Sequence, residues 1–281
     1  MNQSNIDVSI EPSEIKAVVF DMDGTLLKSD NTLSERTIKV VGALRKTGRK
    51  IFLATGRSYD AVHPFLEALA IRTPIVCFNG AAVVDALTGH SIFSHFLQES
   101  IARFLINLAK INNVYYQAYN REGKLIYERI CEESKFYEKH SGIQGSTYDF
   151  NDESALQVYK IVYIGEYDDL KILADEVQSK FTIHDIYSVF SMPYFFEVMN
   201  PMAGKLAALK EALSSEKLDS SEVMIFGDGQ NDLEMLQWAH VGVAMENGSK
   251  ELFNAVPRKT IASNNDDGVA RYLEDFFKLE L

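Results

Sequence analysis

The chain has 281 residues, of which 46% are hydrophobic and 24% charged, ordinary for a folded protein and long enough for two domains. A formal net charge of -12 argues against a nucleic acid or an anionic membrane as partner, so an anionic ligand would need a local cationic centre. Cys77 and Cys131, the two cysteines, are far apart and lack CxxC spacing, which excludes a disulfide scaffold and argues against a zinc ribbon.

In chain order, "MNQSNIDVSIEPSEIK" has no basic start followed by an apolar stretch, and no later segment reaches the ~18 apolar residues that span a bilayer. The expectation is a cytoplasmic protein whose first dozen residues form a polar lead-in. From Lys16 to Phe78, short β-branched runs ("KAVVF", "KIFLATG", "PIVCF") alternate with amphipathic segments ("LSERTIKVVGALRKTG", "YDAVHPFLEALA"). Apolar strands joined by helical crossovers predict a doubly wound, parallel α/β core. The first helix is predicted from Ser34, its cap, to Lys46, with Ile38, Val41 and Leu44 on its core face and Gly48 beyond its end. Cys77 in "PIVCF" reads as a buried core thiol.

After "FNGAAVVD" the texture changes. Aromatic-rich strand patterns ("SIFSHF", "NVYYQAYN", "KLIYERI", "LQVYKIVYIG", "FTIHDIYSVF", "FFEVM") are interrupted by helical ones ("IARFLINLAKI", "YDDLKILADEVQSK"). Residues 85–197 are therefore expected to be a separate α+β domain inserted into a core made of 1–84 and 198–281. The doubly wound pattern then resumes with "KLAALKEALS", "VMIFGD", "NDLEMLQWA", "VGVAM", "KTIAS" and "VARYLEDFFKL".

In such a sheet, ligands bind beyond the carboxyl ends of the strands. Three strands end there in polar residues: Asp21 and Asp23, then Thr55, Gly56 and Arg57, then Gly227, Asp228 and Gly229. Asp21 and Asp23 place like charges close together, which costs free energy unless a cation lies between them. With Asp228 and Asp232 they form a hard oxygen set that suits Mg²⁺, whereas the six histidines show no metal-binding spacing. A carboxylate beside Mg²⁺ can attack phosphorus, so Asp21 is the candidate nucleophile and Asp23 the candidate general acid and base. The Thr55 hydroxyl, the Gly56 N–H and the Lys205 ammonium are candidate phosphate donors. Each motif alone has an ordinary explanation as a turn, a loop or a solvated helix residue; their ordered recurrence at strand ends points to a site.

Together, "DMDGTLL", "ATGR", a lysine before a helix and "GDGQND" resemble the haloacid dehalogenase superfamily. The placement of the insert, with "FNGA", "VAMENGS" and "NDDGVA", is similar to its Cof-type branch, which carries an α/β cap of subclass IIB. The resemblance implies that Asp21 forms an aspartyl-phosphate and that Asp23 is the acid/base, its backbone carbonyl also meeting Mg²⁺. It further implies that Thr55 and Lys205 hold the phosphoryl group, that Asp228 ligates Mg²⁺, that Asp232 does so directly or through water, and that Asn231 helps fix phosphate. One departure is visible: the family usually has Ser or a similar residue before the lysine and Gly after it, whereas this chain reads Gly204, Lys205, Leu206.

The expected activity is Mg²⁺-dependent hydrolysis of small phosphomonoesters. A carboxylate at position 23 separates the chain from the dehalogenase branch. Phosphomutase chemistry and a non-catalytic phosphometabolite sensor are the alternatives. The substrate, among sugar, pyridoxal and flavin-pathway phosphates, should be selected by the insert, where Tyr115, Tyr116, Tyr119, Tyr127, Tyr137 and His140 are candidates.

Overall fold

The computed structural model describes residues 10–152 and 156–279, so most of the expected polar lead-in lies outside the described residues. Strand β1 (Ala17–Phe20) is apolar and fully buried throughout, as a central strand covered on both faces must be. It pairs in parallel with β2 (Lys50–Leu53) and β12 (Val223–Gly227), and β13 (Val241–Ala244) and β14 (Arg258–Lys259) complete the sheet order β14-β13-β12-β1-β2. Alternation along β1 sends Val18 and Phe20 into one apolar layer and Ala17 and Val19 into the other. Helices α1 (Glu35–Lys46) and α9 (Gly268–Phe277) cover the first layer, and α6 (Lys205–Ser214) and α7 (Leu233–Trp238) the second.

Helix α1 begins as expected, with the Ser34 Oγ accepting the Thr37 N–H at 3.0 Å, and Arg45 and Lys46 lie in its last turn. Its core face is Thr37, Val40, Val41 and Leu44, which includes the expected Val41 and Leu44, whereas Ile38 is only half-buried, at the margin of the stripe. The segment "NDLEMLQWA" opens with a tight turn over Gln230–Asp232 before α7 starts at Leu233.

"PIVCF" supplies β3 (Ile75–Cys77), which touches the parallel sheet through one bridge, Ala54 to Val76, and turns into an antiparallel sheet with β4 (Ala82–Val84) and β5 (Ser91–Ser94). Ser91–Ser94, expected as the insert's first strand, is thus held on the core side by pairing with β4. Cys77 is buried, and burial pushes its thiol pKa well above the ordinary value.

The six-stranded second sheet has the order β10-β11-β9-β6-β7-β8, with β6 (Tyr115–Asn120), β7 (Leu125–Tyr127), β8 (Ser146–Thr147), β9 (Val158–Ile164), β10 (Tyr187–Met192) and β11 (Phe195–Met199). Only the second half of "FTIHDIYSVF" is strand, since Thr182 and Asp185 form a hydrogen-bonded turn before it. Helices α3 (Glu99–Ile111) and α5 (Tyr167–Lys180) cover one face, packing on Tyr116, Ala118, Ile161 and Tyr163. The other face, with Tyr119, Val162, Ile164 and Phe195, joins the apolar cluster of the core. None of the described helices is long and apolar enough to cross a membrane.

Candidate active site

Register brings the motifs together. Phe20 lies opposite both Leu53 and Phe226, so β1, β2 and β12 end level and Asp21, Thr55 and Asp228 leave the same edge. The Asp21 N–H still donates to the Phe226 carbonyl at 3.0 Å, so the backbone of this residue is held in the sheet. Beyond it the chain turns tightly over Met22–Leu26, with Gly24 at φ 74; a Cβ there would meet Asp228 Oδ2 at 2.3 Å, so only glycine admits that carboxylate.

Lys205, the first residue of α6, reaches into the site with its side chain 2% exposed. Its Nζ donates to Asp21 Oδ1 at 2.6 Å and to Asp232 Oδ1 at 2.7 Å. Asp232 Oδ2 accepts the N–H groups of Asp228 at 3.0 Å and Gly229 at 2.9 Å, and Asp228 Oδ1 accepts the Thr25 hydroxyl at 2.7 Å. Carboxylate oxygens of Asp21, Asp228 and Asp232 lie within 4.8 Å of one another. Burial pushes the Asp228 pKa up to about 7, reinforced by the Asp232 charge, and burial likewise raises that of Asp21 against the pull of Lys205. Burial alone would lower the Lys205 pKa, but the Asp21 and Asp232 charges more than offset it. With all three carboxylates ionised, one ammonium leaves the cluster net negative, so burial and this excess charge together favour protonation of Asp21 and Asp228 in the absence of a cation.

Asp23 lies apart from that cluster. Arg57 grips its carboxylate in two bonds, Nε to Oδ2 at 2.8 Å and a terminal nitrogen to Oδ1 at 2.5 Å, and also donates to Asn31 Oδ1. Burial would raise the Asp23 pKa, but the Arg57 hydrogen bonds and charge hold it below the ordinary value. Thr55 is fully buried and its Oγ1 accepts the Arg57 N–H at 3.1 Å, which leaves its own proton to donate. The Gly56 carbonyl accepts from Lys160, and the Asn231 amide donates to Asn79 Oδ1 at 3.0 Å.

All eight expected residues therefore lie at this strand edge, Thr55 and Asp232 buried and Asp21, Asp23, Gly56, Lys205, Asp228 and Asn231 lining a cavity of about 150 Å³ between the core and the second sheet. Of the aromatic candidates, Tyr119, Tyr137 and His140 line that cavity beside Phe195. Tyr116 does not: it faces α3 and α5 on the opposite side of its sheet. Tyr115 and Tyr127 bond to Gln117 and Glu138 and do not line it. Sequence reasoning assigned no role to Arg57, Thr25, Asn79, Lys160 or Glu197. A usable signal existed for the last two, each a lone charge inside an apolar strand ("VYKIVYI", "FFEVM").

A family model described as haloacid dehalogenase-like hydrolase matches residues 18–273. A Haemophilus influenzae protein that carries a phosphatase name without a stated substrate is 34% identical, covering 94% of this chain and 98% of its own length. The Bacillus subtilis 5-amino-6-(5-phospho-D-ribitylamino)uracil phosphatase YitU is 26% identical over 93% of this chain and 97% of its own. Among solved structures, a haloacid dehalogenase-like hydrolase from Bacteroides thetaiotaomicron superposes with a TM-score of 0.84 at 25% identity, covering 94% of this chain and all (100%) of that one. A subclass IIB sugar phosphatase, BT4131, shares the fold at a TM-score of 0.81 and 22% identity, over 94% and 100% of the two chains. Motif order and a match along nearly the whole length agree, and the chain belongs to the haloacid dehalogenase-like hydrolase family, Cof-type branch.

Proposed function

We propose that this protein is a Mg²⁺-dependent phosphatase of small phosphomonoesters that works through an aspartyl-phosphate on Asp21, with residues 85–197 acting as the substrate-selecting cap. The observation that carries this is a buried Asp21 carboxylate held by Lys205 within an all-oxygen cluster, with Asp23 two residues on, at a cavity that the second sheet closes. Two free cysteines fit a reducing cytoplasm.

The donor set suits Mg²⁺, because three carboxylates share one ammonium and Asp228 has only a hydroxyl partner for its charge. Asp21, Asp228 and the Asp23 carbonyl would hold the ion, with Asp232 behind them. When bound, the ion supplies charge neutralisation between the attacking carboxylate and the phosphoryl oxygens. The Thr55 hydroxyl, the Gly56 N–H, Lys205 and the Asn231 amide orient the phosphoryl group. Asp21 Oδ attacks phosphorus, the ester P–O bond breaks, and Asp23 gives a proton to the leaving oxygen, a role that requires the bound substrate to loosen the Arg57 grip that otherwise keeps this carboxylate ionised. Asp23 then takes a proton from water, whose oxygen attacks phosphorus and releases inorganic phosphate and the Asp21 carboxylate.

Phosphate release from a panel of sugar, pyridoxal and flavin-pathway phosphates, with Mg²⁺ and with chelator, tests the proposal. A ribitylamino-pyrimidine phosphate belongs in the panel because YitU is named for it. Phosphoryl transfer to a second sugar hydroxyl, with no free phosphate, would replace hydrolysis by mutase chemistry. Asp23→Asn should lower turnover roughly 100- to 10,000-fold while leaving Mg²⁺ affinity near the wild-type value, since its expected metal contact is a backbone carbonyl. Loss of Mg²⁺ binding with normal turnover would contradict that role.

The raised Asp228 and Asp21 pKa values set a sign for stability. The folded protein keeps a proton on Asp228 up to pH about 7, whereas the unfolded chain releases it near the ordinary carboxylate value. Metal-free protein should therefore gain stability as pH falls from 8 to 5, and added Mg²⁺ should raise the melting temperature more at pH 8 than at pH 5. Melts with chelator and with Mg²⁺ at both values measure this, and an equal Mg²⁺ shift at both would count against the cluster as the metal site.

A further inference from the structure

The cap sheet carries two charges where its alternation calls for apolar residues. Lys160 on β9 and Glu197 on β11 face the core side, on the same face as Val162, Ile164, Phe195 and Met199, and both are buried, at 2% and 3% exposure. Such charges persist only when paired, and Lys160 Nζ meets Glu197 Oε1 at 2.8 Å, where Ser191 also donates. Their remaining partners belong to the core: Lys160 Nζ donates to the Gly56 carbonyl at 3.1 Å, and Glu197 Oε2 accepts from Asn79 Nδ2 at 2.9 Å.

Asn79 is held in an unusual backbone position. Phe78 and Asn79 have φ of 52 and 53, an uncommon conformation for two successive residues that are not glycine, and their N–H groups donate to the Arg57 and Thr55 carbonyls, each at 3.0 Å. Gly80 follows so closely against the chain before Lys205 that a Cβ on it would meet the Gly204 carbonyl at 2.3 Å. This one turn thus touches the Thr55 loop, the approach to Lys205 and, through its amide, Asn231.

The hydrogen-bond chain has a fixed direction. A carboxylate can only accept, so Glu197 dictates that Asn79 turns its NH₂ toward the cap and its oxygen toward Asn231. Asn231 must then present NH₂ to Asn79, which leaves its second N–H for a ligand and turns its own oxygen toward Gly229. We infer that Lys160 and Glu197 are positioning residues: the seated cap uses this buried ion pair to orient Asn79, and through it Asn231 and the Gly56 loop, so that the phosphate side of the site is complete only with the cap docked. The inference rests on the phosphatase proposal for its kinetic readout alone.

The test uses Lys160→Met/Glu197→Gln, a neutral pair of similar volume whose glutamine can turn either end toward Asn79. With p-nitrophenyl phosphate and Mg²⁺, kcat should fall about tenfold to a hundredfold while KM stays near the wild-type value. Asn231→Ala should cost far less in this background than in wild type, because the relay is already broken. Amide hydrogen exchange at 55–57 and 229–232 should speed up about tenfold, whereas that of β1 stays unchanged. Should the double variant fail to fold, Asn79→Gly, which keeps the positive φ and removes only the relaying amide, takes the same measurements. Additive effects with Asn231→Ala, or unchanged exchange at 229–232, overturn the relay. If wild type releases no phosphate, the phosphatase proposal fails, and the exchange comparison still decides the relay.

Discussion

Asp21→Asn is expected to lower phosphate release by roughly a thousandfold or more, because the amide keeps the shape of the carboxylate and removes the nucleophile. The N–H to Phe226 and the burial of the side chain are backbone and packing features that the substitution leaves in place. The fold should therefore survive. Acid quenching of wild type during turnover, followed by mass measurement of the peptide that contains residue 21, should show an added phosphoryl group absent from the variant. Phosphoenzyme in the Asp21→Asn protein, or turnover within tenfold of wild type, would reject Asp21 as the nucleophile.

Lys205→Met is expected to have the largest effect on stability. The lysine is the single ammonium bonded to both Asp21 and Asp232, and its removal strands two buried carboxylates. Breaking a buried ion pair on one side costs about 3–5 kcal/mol, which for a chain of this size lowers the melting temperature by roughly 10 °C. Mg²⁺ should recover part of that loss, since a divalent ion compensates the same charges. Turnover should also fall, by roughly 100- to 1000-fold, with the loss of a donor to the phosphoryl group. Thermal melts with and without Mg²⁺, beside initial rates, measure both effects, and an unchanged melting temperature without metal would contradict the role of Lys205 as the cluster's counter-charge.

Arg57 shows how a residue can be in view and still be missed. It stands in "ATGR", yet nothing in one dimension says that its guanidinium turns back from the end of β2 onto Asp23. Thr25 is similar: its place in "DMDGTLL" is plain, and its bond to Asp228, 203 residues later, is not. Tyr116 failed in the opposite way, because neighbouring tyrosines in "NVYYQAYN" alternate between the two faces of a strand, and only the packing of α3 and α5 tells which face meets the site.

What the residues alone determined was the layered core and the carboxylates at the strand ends. These follow from local rules: periodicity of 2 or 3.6, caps and turns, and the binding edge of a parallel sheet. What only the tertiary structure decided was the partner of each charge, namely Lys205 between Asp21 and Asp232, Arg57 on Asp23, and Lys160 and Glu197 joined to Gly56 and Asn79. Such pairs form across strands and domains far apart in the chain, where register and docking set the distances, and a buried charge takes whichever partner the fold brings within reach.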